Sequence, residues 1–379
     1  MRARPDAAVC APGLTWAPLR PTAAASVSLS PVRVHRPRRR LLAAAPWLAL
    51  LAAAGRPAAQ TRVEKPHVTL AVGGKAALYY LPLTIAKQLK FFDDEGLQVE
   101  LQDHAGGALA QQAMLAGQAD VAAGAYEHTI LLRQRGQNCR SFVLLGRAPQ
   151  LVFGVGSRAL PDFRHVAQLR GRRIGISWPD SSTQWFAHRV LARGGLGPSD
   201  VEFVGVGTSL AAVSALREGR IDALANIDPV ISMLAFRGEI RVIADTRSLR
   251  GAQDLYGGPM PAGCLYAPQG FVLRYPRTVQ ALVNAVVRAL KWLQTAGPSD
   301  IVRAVPEAYM HDDRAVYLAA LDKAREALSP DGMLSEDGVL TAHRVAAQYA
   351  PGTPSVRSAA PAATYTNEFA RRAKLKFQA

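Results

Sequence analysis

LYYLPLTIAKQLKFFDDEGLQVEL, residues 78–101, decides the fold class of this chain. Leu81, Ile85, Leu89 and Phe92 recur at helical spacing while Lys87, Gln88 and Lys90 fall between them, so an amphipathic helix is expected through Phe92. Asp93, Asp94, Glu95 and Gly96 break that pattern, and Leu97, Val99 and Leu101 then alternate with polar residues as a half-buried strand does. Upstream, Val68–Val72 reads as a strand ending in Gly73-Gly74. Strand, glycine turn, helix and strand make a βαβ unit, the building block of parallel sheets covered on both faces. Ligands of such sheets bind beyond the carboxyl ends of the strands, where helix N-termini offer free N–H groups. That rule places a site near Gly73 to Tyr80 and makes Tyr79 and Tyr80 candidates.

Working outward, GGALAQQAMLAGQADVAAG (106–124) reads as a glycine turn, an Ala/Leu/Met-rich helix and a short buried strand. Gly106 and Gly107 let a ligand or a neighbouring backbone approach the helix start, or serve only a tight turn. Ser141–Leu145 and Leu151–Val155 read as consecutive strands, the second crossing into another lobe. A fresh α/β pattern opens at Val166, with LRGRRIGI (169–176) as strand and SSTQWFAHRVL (181–191) as helix. The segment Gln118-Ala-Asp120-Val-Ala recurs as Arg220-Ile-Asp222-Ala-Leu, once in each half. Gly257–Gln269 reads as loop, and Gly270–Arg274 with Tyr275-Pro276 as the return to the first lobe. Helices follow over 278–295, 300–305 and 313–328, before a Pro/Ala-rich linker and a terminal amphipathic helix or loose tail.

The string LPLTIAKQLKFFDDEGLQVEL, followed by GGALAQQAMLAGQADVAAG, resembles the periplasmic solute-binding proteins of bacterial transporters for nitrate, sulfonates, taurine and thiamine-pyrimidine precursors, the NMT1/THI5-like or aliphatic-sulfonate-binding family. The resemblance spans roughly Pro66 to Gln348. It implies an α/β, two-lobed periplasmic-binding-protein type II fold, with a ligand cleft between lobes and two hinge-crossing segments. The expected division is 61–155 for the first part of lobe 1, 156–262 for lobe 2, 263–350 for the return to lobe 1 and 351–379 for a tail. The implied partners are a small-molecule solute and the permease and ATPase subunits of an ABC transporter, with the chain itself a monomer. The implied role is delivery of a small solute, with no cofactor, no metal and no catalysis. An enzyme on the same scaffold, a pyrimidine synthase or a cysteine-dependent desulfinase, is the alternative, although the cysteine-rich motif of the former is not found here.

Composition agrees with a globular chain: 49% of the 379 residues are hydrophobic and 20% charged. Half of the net charge of +16 comes from Met1–Ala59, which holds nine arginines and one aspartate. No helix-turn-helix, zinc-finger spacing or aromatic RNA-binding signature accompanies the basic balance, so nucleic acid is not an expected partner. Arg36–Arg40 precedes an uncharged apolar run, Leu41–Ala54, and then small residues. That order is a secretory signal peptide, and the run is short of the ~20 residues a membrane span needs. Residues 1–60 are therefore expected to be a signal peptide with an N-terminal extension before it, and the mature chain to be periplasmic. Arg38-Arg39-Arg40 is weakly compatible with a twin-arginine signal, ordinary secretion being the first expectation. Cys139 and Cys264 lack any C-x-x-C spacing and are expected to be buried thiols, with a single disulfide as the alternative.

Candidate ligand contacts cluster at strand exits. Tyr126 and Glu127 open a helix after Val121–Gly124; Glu127 either favours the helix dipole or faces the cleft, with Tyr126 stacking on the solute and the carboxylate accepting from an amine or pyrimidine. Ser181, Ser182 and Thr183 begin a helix and either cap it or hold an anionic head, with Trp178 as a flat apolar wall. Asp228 precedes Pro229 at another helix start and is a cap or a ligand contact. The expected cargo is an anionic or zwitterionic organic solute, with a thiamine-pyrimidine type of ligand as the variant.

Overall fold

His67–Val72 (β1) leads through a tight turn into Leu81–Gln88 (α1), and the helix stops sooner than its periodicity predicts. Lys90 takes a φ of 59°, and a separate turn of helix, Phe91–Asp94 (α2), follows. The kink delivers Phe92, fully buried, into the core. Gln98–Asp103 (β2) then pairs parallel to β1, in register from His67–Gln98 to Val72–Asp103. The computed structural model describes residues 62–349 and 360–379, so the expected signal peptide and extension, and most of the Pro/Ala-rich linker, lie outside the described residues.

The first sheet continues through Gly107–Leu115 (α3), Val121–Ala125 (β3), Glu127–Gln134 (α4) and Cys139–Leu144 (β4). The second holds Val152–Gly156 (β5), Arg173–Ile176 (β6), Ser182–Arg193 (α5), Glu202–Gly205 (β7), Leu210–Arg217 (α6), Ala223–Asn226 (β8), Val230–Phe236 (α7) and Ile240–Asp245 (β9). Leu249–Tyr256 (α8) leads back to Gly263–Pro268 (β10), which joins the first sheet. The strand orders are β2-β1-β3-β10-β4 and β7-β6-β8-β5-β9. The two orders are the same pattern: three parallel strands, one antiparallel strand contributed from outside the run, and a last edge strand. β5 and β10 are the strands each lobe receives after a crossing, and they sit centrally with both faces covered, as their near-continuous apolar sequences require.

Two expectations fail here. Gly257–Gln269 contains β10, and Gly270–Arg274 belongs to a helix, Gln269–Arg274 (α9). Pro259, Pro261 and Pro268 punctuate the segment like a loop, yet β10 runs between β3 and β4, so that strand is made by tertiary pairing against local signals. The crossing strands are tied together at the hinge: Leu151 N donates to Thr246 Oγ1 at 3.0 Å and Ala262 N to the Gly146 carbonyl at 2.9 Å.

Pro276–Thr295 (α10) buries Val279, Leu282, Val283, Val286 and Leu290. Pro298–Ala304 (α11), Arg314–Ala324 (α12) and Glu336–Tyr349 (α13) follow, and Glu368–Phe377 (α14) packs Phe369, Ala370 and Ala373 back toward α10. The tail is thus a docked helix. Ahead of it the chain extends the β4 edge, with Ser141 N donating to the Thr364 carbonyl at 2.9 Å and Thr366 N to the Ser141 carbonyl at 2.8 Å.

The repeated Asp has the same work in both sheets. Asp120 accepts from Thr69 N at 3.1 Å and from Lys65 Nζ, one residue before β1 and β3 pair at Leu70–Val121. Asp222 accepts from Arg173 N at 2.9 Å and from its guanidinium, one residue before β6 and β8 pair at Ile174–Ala223. Burial pushes the Asp222 carboxyl up, but the Arg173 bonds and charge outweigh it and hold it below the usual range. That stabilisation is present above the unfolded value near 3.8 and is lost as pH falls through the lower folded value. Asp120→Ala and Asp222→Ala each strand a backbone N–H and are expected to cost similar amounts, about 1–3 kcal/mol, in urea unfolding. A variant that unfolds like the wild type removes that Asp from this account.

Candidate functional site

All six parallel strands point their carboxyl ends at one space between the two sheets. From the first sheet come Gly73, Tyr79 and Tyr80 after β1, Gly107 at the start of α3, and Ala125 at the end of β3. From the second come Ser177 after β6, Ser181, Ser182 and Thr183 at the start of α5, Thr208 after β7 and Ile227 after β8, with Leu151 entering beside β5. The cavity leaves about 30 Å³ for the centre of a water-sized sphere, more than one water needs and enough for a solute of a few heavy atoms. The lobes close on it directly. Leu78 N donates to the Asp228 carbonyl at 3.0 Å, and Thr208 Oγ1 donates to the Gly73 carbonyl at 3.2 Å.

A larger hollow lies elsewhere, between Ser157, Arg217 and Glu239 at the opposite ends of β6 and β8. Its charges are largely paired with one another, as in Arg217–Glu239 and Arg173–Asp222. The space at the strand carboxyl ends, lined from both sheets, is the candidate site.

Of the residues singled out by sequence, Tyr79, Tyr80, Gly107, Ser181, Ser182 and Thr183 line the cavity. Gly106 stands just behind, where an added Cβ would meet Ser177 Cβ at 3.3 Å across the lobes. Tyr126 does not face a solute. Its ring is fully buried, its hydroxyl bonds Thr364 Oγ1 at 2.6 Å, and it meets Tyr365 edge-on. Trp178 is 37% exposed, lies over Gly205 and is not among the residues that line the cavity. Asp228 turns away as well: Oδ1 accepts from Ser232 N at 2.9 Å and Oδ2 pairs with Arg247 at 3.0 Å in a buried cluster. Its cap role therefore operates one residue outside α7, where Pro229 is the N-cap. Ser177 and Thr208 escaped the sequence reading, although both are polar residues directly beyond strand ends, the one signal that marks them.

The α5 hydroxyls are bonded among themselves. Thr183 Oγ1 accepts from Ser177 N at 2.8 Å and lies 2.9 Å from Ser177 Oγ and 2.6 Å from Ser181 Oγ, while Ser181 Oγ accepts from Gln184 N. Glu127, 9% exposed at the start of α4, is not among the residues that line the cavity. Burial raises Glu127 to about 7, against the lowering pull of its own backbone N–H and of Ser182. Its neighbour His128 is pushed down to about 4 by burial, so it is neutral, with Nδ1 3.1 Å from the Tyr266 hydroxyl. Both cysteines are free and buried. Cys264 lies in β10 opposite Leu144 and Cys139 opposite Pro268, four residues further along, so no disulfide links them. Burial pushes the thiols up to about 11 and about 12 respectively for Cys139 and Cys264, the reverse of what a nucleophile needs. Among the described residues no group of three or more His, Cys, Asp or Glu side chains is placed to hold a metal ion. No helix among them is long and apolar enough to cross a membrane.

Two α/β lobes with exchanged central strands, closed on a cavity at the strand carboxyl ends, define the periplasmic-binding-protein fold. Residues 77–298 match the family described as "NMT1/THI5 like", and the chain belongs to it. A solved structure from Bordetella bronchiseptica RB50 is similar at 50% identity and a TM-score of 0.82, covering 84% of this chain and 100% of that one. The alkanesulfonate-binding protein SsuA from Xanthomonas axonopodis pv. citri, bound to MOPS, is similar at 21% identity and a TM-score of 0.59, covering 76% and 93%. The periplasmic nitrate-binding protein NrtA from Synechocystis PCC 6803 is similar at 14% identity and a TM-score of 0.66, covering 84% and 90%. These last two likenesses are of fold.

Proposed function

We propose that this chain is the solute-binding component of an ATP-driven importer, exported to the periplasm, where it captures a small solute between its lobes and delivers it to a membrane permease. The observation that carries the reading is the cavity built from both lobes, with cross-lobe hydrogen bonds beside it. Such an arrangement must open to load and close to hold, the hinge motion of this fold. An anionic or zwitterionic organic solute is supported by the α5 start in the cavity wall and by relatives named for sulfonate and nitrate. A pyrimidine-like ligand is supported by Tyr79 and Tyr80 in the cavity wall. Cys264, the thiol that a desulfinase-like reading would call on, is fully buried in a central strand.

Thermal unfolding against nitrate, sulfonates, carboxylates, amino acids and pyrimidines tests the proposal. A solute at a hundred times its Kd adds about 2.7 kcal/mol, a midpoint rise of roughly 5–10 °C for a chain of this size. A chain whose midpoint ignores every member of the panel is not acting by this mechanism.

A further inference from the structure

We propose that the cleft is a donor site for a single negative charge: it takes a monoanion without an ammonium group, held by the hydroxyls of Tyr79 and Tyr80 and by the N–H groups at the starts of α3 and α5. The inference rests on the solute-capture reading and narrows its cargo.

Polar atoms around the cavity divide unevenly. Three carbonyls just beyond the strand ends are taken within the protein: Gly73 receives Thr208 Oγ1 at 3.2 Å, Ser177 receives Gly207 N at 3.1 Å and Asp228 receives Leu78 N at 3.0 Å. Two hydroxyl oxygens are taken as well, Thr183 Oγ1 by Ser177 N and Ser181 Oγ by Gln184 N. Donors are left over. Tyr79 and Tyr80 line the cavity at 6% and 4% exposure, and neither hydroxyl has a hydrogen-bond partner among the described residues. The main-chain N–H groups of Gly107, Ser182 and Thr183, residues of the same wall, have no partner there either.

Local structure brings these donors together. Gly107 opens α3, of nine residues, and Ser182 opens α5, of twelve, so the first N–H groups of each helix have no carbonyl a turn earlier to receive them. The two starts approach across the lobes: a Cβ added at Gly106 would meet Ser177 Cβ at 3.3 Å, and Ser177 N is bonded to Thr183. A Cβ added at Gly107 would meet the Tyr80 hydroxyl at 3.3 Å, which sets that phenol beside the α3 start. Tyr79 meets Tyr80 edge-on at 4.9 Å and lies against Gly263 in β10, where an added Cβ would come within 2.9 Å of Cε1. Both rings are thereby held in place. Burial pushes both phenols up, so each keeps its proton to donate.

Magnitudes decide the charge. Each helix start carries about +0.5 of an elementary charge, so two together match one negative charge. None of the lining residues is Asp, Glu, Lys, Arg or His. A second negative charge would be desolvated without a cation, and an ammonium group without a carboxylate in the wall, and both are unfavourable.

The test uses two matched series that differ by one charged group. Ethanesulfonate is compared with taurine, which adds an ammonium group, and with ethane-1,2-disulfonate, which adds a second negative charge; propionate is compared with β-alanine and succinate in the same way. Each is titrated by calorimetry near neutral pH on the wild type, Tyr79→Phe and Tyr80→Phe, with pyrimidine as the uncharged probe. The expected result is that the monoanion of one series binds at least about tenfold more tightly than both of its partners. Each Phe variant, which keeps the packed ring, should weaken that monoanion about tenfold, the loss of a hydrogen bond to a charged group, with its ligand-free midpoint within a few degrees of the wild type. A zwitterion or dianion that binds as tightly as its monoanion, or two Phe variants with wild-type affinity, would overturn the inference and leave solute capture standing. A chain that takes pyrimidine, taurine or β-alanine and neither monoanion overturns it in the same way. If no solute of any class binds, capture falls together with it.

Discussion

Replacing Arg247 by Ala is expected to destabilise the chain by about 3–5 kcal/mol, the cost of leaving a buried carboxylate without its partner. Arg247 and Asp228 are 8% and 2% exposed at the side chain, with Nη1 3.0 Å from Asp228 Oδ2 and 3.3 Å from Ser232 Oγ. On its other edge the guanidinium holds Asp245 at the end of β9. Burial lowers the Arg247 value, yet the two carboxylates overcome this and leave it above its ordinary position. The cluster joins the last strand of the second sheet to the start of α7. The carbonyl of Asp228 in turn receives Leu78 N across the cleft, so loss of the arginine loosens closure as well as folding. Urea unfolding gives the number. A loss below about 1 kcal/mol would mean that the pair is solvated and holds nothing, whereas partial recovery in Asp228→Asn with Arg247→Met would confirm that the orphaned charge carries the cost.

Gly73→Ala is the second large effect, and its cause is a backbone approach. A Cβ at Gly73 would lie 2.3 Å from Gly107 N and 2.6 Å from both Gly106 C and Gly107 Cα. No side chain there can rotate aside, so β1 and the start of α3 must separate, at a cost of about 3 kcal/mol and the upper end of overpacking losses. Gly107→Ala makes a control. Its Cβ would meet His128 Cε1 and the Tyr80 hydroxyl at 3.3 Å, both side-chain atoms able to yield by tenths of an ångström. Thermal unfolding of the two variants should differ by several degrees. Equal midpoints would show that the two turns are not locked together.

What could be read in the chain beforehand was what local patterning encodes. β1, α1, β2, α3 and β3 follow from alternation and helical spacing, and the recurring Asp120 and Asp222 mark equivalent points in the two lobes. The strand-end rule also pointed to Tyr79, Tyr80, Gly107 and the α5 start. β10 stayed hidden because its proline-flanked sequence carries a loop signature while its pairing partners, β3 and β4, lie more than a hundred residues earlier. The direction of a side chain at a strand end was equally illegible: Tyr126, read as a stacking wall, turns to Thr364 under the C-terminal segment. Asp228 looked available until Arg247, nineteen residues on, was seen to claim it.

The central claim is that one solute sits between the lobes at the α5 start. Calorimetric titration of the solute that raises the unfolding midpoint, on the wild type and on Ser182→Trp, tests it most directly. An indole at residue 182 would fill the small cavity from its helix-start wall without entering either core. One solute per chain in the wild type and none in Ser182→Trp, with the ligand-free midpoint within a few degrees, is the predicted result. Equal affinity in both proteins would place the solute elsewhere and contradict the account.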